Sequence, residues 1–142
     1  MEHRQLGVDL YNDVWRLLES RDDDDRLVHQ AHASAYHWLQ APECEPKNRA
    51  RSEWLCSRVY AVLGRAEPAL HHARRCLEIC EESADNVEDW DLAFAYEALA
   101  RAHKVAGAEE EARRYERRGR ELAEAVADPE DKEIVLKDYA TL

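Results

Sequence analysis

Glycine and proline are scarce in this chain, four of each in 142 residues, and there is one phenylalanine. So few turn formers leave little material for a sheet of short strands. Ala, Leu, Glu and Arg dominate instead, and these favour helix. Positive charge is also short: 20 Lys and Arg stand against 31 Asp and Glu, a net charge of −11. That balance argues against nucleic acid as the main ligand, because phosphate binding needs a positive footprint. It argues equally against an anionic membrane surface. The basic run Arg113, Arg114, Arg117, Arg118 and Arg120 is interleaved with Glu109, Glu110, Glu111, Glu116 and Glu121. It reads as a solvated helix face laced with i,i+4 pairs.

Long apolar runs are missing as well. Nothing approaches the ~20 apolar residues of a membrane span, and the N-terminus carries no apolar core of signal length. A soluble, cytoplasmic protein is expected. There is no Gly-rich phosphate loop, no His-Glu-x-x-His pair and no nucleophile–base motif around any serine. An enzyme is therefore not expected, nor a cofactor. Cys76 and Cys80 lie one helical turn apart in an apolar stripe and Cys56 lies in another, which reads as reduced core thiols.

What is present is a repeat. Shifted by 43 residues, the chain superposes Ala50 on Ala93, Arg58 on Arg101, Val62 on Val105, Gly64 on Gly107, Ala69 on Ala112 and Arg74 on Arg117. A period of this size implies stacked two-helix units that share a continuous core. Apolar stripes at helical spacing and cap residues divide the chain into seven helices. The first runs from about Arg4 to Ser20, with Leu10, Val14, Leu17 and Leu18 as its stripe. The Asp22–Asp25 run starts the second, which buries Leu27, Val28, Ala31, Ala35, Trp38 and Leu39. The third spans about Pro46–Leu63 and ends at Gly64, and the fourth about Ala66–Glu82. The fifth spans about Asp89–Ala106 and ends at Gly107, and the sixth about Glu109–Ala127. Asp128 as N-cap and Pro129 in the first turn open a seventh, whose apolar edge is Val135, Leu136, Tyr139 and Leu142. One domain is expected over residues 1–142: a divergent helix pair at 1–45, repeats at 46–88 and 89–127, and a capping helix at 128–142.

The two repeats resemble tetratricopeptide repeats in their small and aromatic positions. One unit reads Ser57, Tyr60, Gly64, Ala69, Cys76; the next reads Tyr96, Leu99, Ala100, His103, Gly107, Ala112, Gly119. The period is 43 rather than 34, as in the long-loop variants that resemble kinesin light chain repeats. His103 stands in place of an aromatic and Glu53 in place of a large apolar residue. The resemblance implies an all-α, right-handed stack of antiparallel helix pairs. It further implies a protein or peptide partner on the concave face, which the first helix of each pair lines.

Offset from the turn glycines, that face should carry Arg51, Trp54 and Arg58 from one unit and Glu97, Arg101 and Lys104 from the next. Arg58, Arg101 and Lys104 would form a positive stripe suited to an acidic ligand. The competing expectation is that these residues pair with Glu53, Glu97 or the terminal helices. A second copy of the chain is a further candidate partner. The alternative from another class is a metal- or small-molecule-binding helical protein centred on His29, His32 and Tyr36. These lie on one edge of the second helix, where a metal would need a further ligand from a neighbouring helix.

Overall fold

The computed structural model describes residues 1–142 as seven α-helices with no strand. They are α1 (His3–Ser20), α2 (Asp24–Gln40), α3 (Pro46–Val62), α4 (Ala66–Glu82), α5 (Asp89–Val105), α6 (Glu109–Glu124) and α7 (Pro129–Tyr139). A single 3₁₀ turn, Ala84–Asn86, lies in the polar connection before α5. The all-α expectation holds. No helix is long and apolar enough to cross a membrane.

Local chemistry explains most boundaries. The Asp23 side chain accepts the Arg26 N–H at the start of α2, and the Asp128 side chain accepts the Glu130 and Asp131 N–H groups ahead of α7. Each satisfies donors that a helix start leaves free. Gly64 and Gly107 close α3 and α5 with φ of 75° and 77°, a left-handed conformation that costs glycine nothing. The first helix pair has no glycine at this place. Arg21 adopts the same conformation there at φ 54°.

Two expectations are corrected. The sixth helix stops at Glu124 rather than Ala127. Past that point the chain turns back, and the Ala127 N–H is held by the Asp89 carboxylate at the start of α5. Leu39 was placed in the core but is 61% exposed. Trp38 takes the inward position of that turn, packed over Gly7 of α1, where any β-carbon would meet the indole at 2.8 Å.

Helices joined by short turns pack as hairpins α1–α2, α3–α4 and α5–α6, and each hairpin packs on the next through α2–α3 and α4–α5. First helices α3 and α5 also touch directly. The main core runs through all three hairpins, from Val14 and Leu17 through Leu27, Leu55, Val59 and Ile79 to Leu99. Ala69 and Ala112 are fully buried, where their small size lets α3–α4 and α5–α6 approach closely. α7 lies against α5 and α6. It forms a second small core, in which Val135 and Tyr139 pack with Ala93 and Ala123. The Tyr139 hydroxyl donates to the Ala93 carbonyl at 2.7 Å.

His103 and Glu53 each meet a neighbouring ring. His103 stacks on Tyr115 with ring centroids 5.2 Å apart and planes within 10°. Glu53 accepts a 2.6 Å hydrogen bond from His72. Cys56, Cys76 and Cys80 are buried free thiols, and burial pushes the Cys56 thiol up to about 12. Such a thiol stays protonated and inert.

Candidate functional site

The repeat sets Trp54 and Glu97 at equivalent positions of successive units, and the fold brings the two together. The indole N–H of Trp54 donates to Glu97 Oε2 at 3.1 Å. Arg58 and Arg101, also equivalent, both donate to Glu97 Oε1, at 3.1 and 2.7 Å. Glu97 is fully buried. Burial is the largest influence on its carboxyl and raises it to about 7; Arg58 and Arg101 oppose the rise and Asp138 adds to it.

Both arginines of the expected positive stripe are paired within the chain, by Glu97 of α5 and, for Arg58, also by Asp138 of α7. Arg58 donates to both Asp138 oxygens at 2.7 and 2.9 Å. Arg101 donates to the Thr141 hydroxyl, and Lys104 to the Leu142 carbonyl at 2.7 Å. The Arg58–Asp138 pair is largely buried, whereas the Arg101–Thr141 and Lys104–Leu142 contacts lie at the surface. Arg51 makes two hydrogen bonds to Asp91, at 2.9 and 3.0 Å. Its guanidinium lies 4.3 Å from the centre of the Trp90 ring, within cation–π range.

The expected residues therefore form two groups. Trp54, Arg58, Glu97, Arg101 and Lys104 belong to a polar network that ties α3, α5 and the C-terminal segment together. Arg51 and Trp54 also border a different feature, a cavity of about 230 Å³. Its walls come from α1 (Tyr11, Trp15), α3 (Ala50, Arg51, Trp54), α4 (Cys76) and α5 (Trp90, Asp91, Phe94). The rings meet at steep angles, 68° between Trp54 and Phe94 and 86° between Trp90 and Phe94. Trp15 and Trp54 are tilted by 34° with centroids 5.5 Å apart. Burial beside these rings raises the Tyr11 hydroxyl to about 12, so it is neutral at any ordinary pH.

The offset from Gly107 does place Phe94 on this face, but sequence reasoning missed Tyr11, Trp15 and Trp90. A signal was available: three of the four tryptophans fall on the first helices of three successive pairs. The glycine-based offset does not reach them, because the first pair has no turn glycine and Trp90 precedes the matched part of its repeat.

The histidines of α2 do not converge as the alternative would need. Tyr36 is 56% exposed. His32 shares a 2.8 Å hydrogen bond with the Tyr60 hydroxyl and sits 3.9 Å from the Cys56 sulfur. No three His, Cys, Asp or Glu side chains stand at metal-binding spacing.

No protein family, curated protein or solved structure matches this chain.

Proposed function

We propose that the chain is a non-catalytic protein-interaction module with a tetratricopeptide-like arrangement. In this reading the three hairpins stack with α1, α3 and α5 along a concave face, and that face receives a segment of a partner protein. The observation that supports it is the aromatic-walled cavity to which three successive hairpins each contribute their first helix. Half-exposed aromatic side chains around a depression are over-represented at the energetic centres of protein interfaces. A core with no use for Trp15 or Trp90 at its edge would be served as well by Leu or Met.

Selection of peptides from a random library on the immobilised protein tests this reading. Selected peptides should compete with one another for a single face, and Trp90→Ala should weaken them by about tenfold or more. Peptides that bind Trp90→Ala as well as the unaltered protein would place the partner elsewhere and end this reading.

A further inference from the structure

Resting on that reading, we propose that the cavity is the anchor pocket for one uncharged aromatic side chain, carried on a partner segment of net positive charge. The pocket's chemistry fixes the anchor. Four rings, those of Trp15, Trp54, Trp90 and Phe94, line the cavity and adjoin one another in tilted and edge-on pairs. An added ring gains from edge-to-face and offset contacts with such walls, which an aliphatic chain cannot make. At about 230 Å³ the space suits one ring-bearing side chain rather than an extended cofactor.

Charge then decides what surrounds the anchor. The formal charges at the wall, Arg51 and Asp91, are already joined by two hydrogen bonds, and Asp91 also accepts the Glu88 N–H. Further along the face, Arg58 and Arg101 are matched by Glu97 and Asp138. Arg51 and Asp91 cancel at the cavity wall, while Lys104, which meets only the Leu142 carbonyl, leaves a positive charge without a carboxylate farther along the face. At long range the field a partner meets is set by the whole chain, at −11. A long-range field of that sign draws in a basic segment and repels an acidic one. With both arginines paired, little remains of the free positive stripe that would favour an acidic ligand.

The unaltered protein tests the anchor directly, because it has four indole N–H groups. Trp15, Trp54 and Trp90 line the cavity and Trp38, over Gly7, does not. Nitrogen-15 correlation spectra would be recorded during titration with N-acetyl-phenylalaninamide, N-acetyl-leucinamide and N-acetyl-lysinamide. The phenylalanine amide should move the three cavity indoles and leave Trp38 in place, with the other two amides at least about tenfold weaker. A stronger leucine or lysine amide, or a response led by Trp38, would overturn the anchor assignment.

Peptides with one central Phe flanked by Lys, Gly or Glu test the partner. The Lys-flanked peptide should bind best, lose about tenfold or more when its Phe becomes Ala, and lose its advantage over the Glu-flanked peptide as salt rises. A preference for the Glu-flanked peptide would overturn the proposal. So would binding of the free amide with no binding of any peptide, which would make the cavity a small-molecule site. The two ideas fail separately. Library peptides that depend on Trp90 but carry no aromatic anchor would end this inference and keep the interaction module.

Discussion

Arg21 and Gly119 occupy the two positions where the identity of one residue is most exposed to test. Arg21 holds a left-handed backbone at φ 54° at the place where Gly64 and Gly107 serve the later hairpins. Side chains with a β-carbon adopt this conformation at a cost of roughly 1 kcal/mol. Its ion pair with Asp24 is exposed on both sides and adds little. Arg21→Gly should therefore raise stability only slightly, by about 0.5 kcal/mol or less after the entropy of the unfolded chain is counted. Gly119 is the opposite case, since a β-carbon there would lie 1.8 Å from the Tyr139 hydroxyl oxygen. Gly119→Ala must push Tyr139 off the Ala93 carbonyl, and should cost about 1–3 kcal/mol. Urea midpoints of the two variants should move in opposite directions. A neutral Gly119→Ala would show that α7 seats without Tyr139.

Among the elements, α7 carries more than its length suggests. Val135 and Tyr139 are fully buried, and each such side chain stabilises by roughly 1.5–3 kcal/mol before entropy is subtracted. Deleting Asp128–Leu142 should lower the melting temperature, bare Ala93 and Ala123, and remove Asp138 from Arg58 and Thr141 from Arg101. Sedimentation of the shortened chain should then show association through the bared surface. An unchanged melting temperature and mass would mean that α7 contributes nothing to the fold. The helix itself was legible in the sequence: Asp128, Pro129 and the Val135–Tyr139 spacing announce its start and its buried edge. Most other boundaries were legible for the same reason, because caps and turn glycines act locally. What α7 does to the arginine stripe was not legible. Arg58 and Asp138 are 80 positions apart, and no local pattern links a stripe on α3 and α5 to a carboxylate that only the fold brings near. The cavity was hidden for a related reason. Its aromatics look like ordinary stripe residues until three helices are set side by side.

At the scale of the whole molecule, Glu97 is the point where α3, α5 and α7 meet, and it should leave a signature in the pH dependence of stability. The charged groups facing it are Arg58 from α3, Arg101 from α5 and Asp138 from α7. Its carboxyl is raised from 4.5 to about 7 in the folded chain, chiefly by burial. A raised carboxyl pKa means that the folded state keeps a proton that the unfolded chain releases. The contribution is full below about pH 4.5 and is lost as pH rises through about 7, a change on the order of 3 kcal/mol. Two histidines work against this trend. Burial lowers the folded pKa of both His32 and His103, so their contribution is present above the ordinary histidine value of 6.5 and is lost as pH falls. Stability of the unaltered protein can therefore look flat between pH 5 and 8 while opposing effects cancel. Glu97→Gln separates them, because amide and protonated acid are alike in shape and neither carries charge. Urea unfolding at pH 5, 6, 7 and 8 should show the variant gaining on the unaltered protein steadily as pH rises. With the carboxyl removed, the histidine trend should stand alone, and the variant should become more stable from pH 5 to 7. A stability difference between the two proteins that does not change with pH would mean that Glu97 is ionised throughout. It would then be held by Arg58 and Arg101 strongly enough to outweigh its burial.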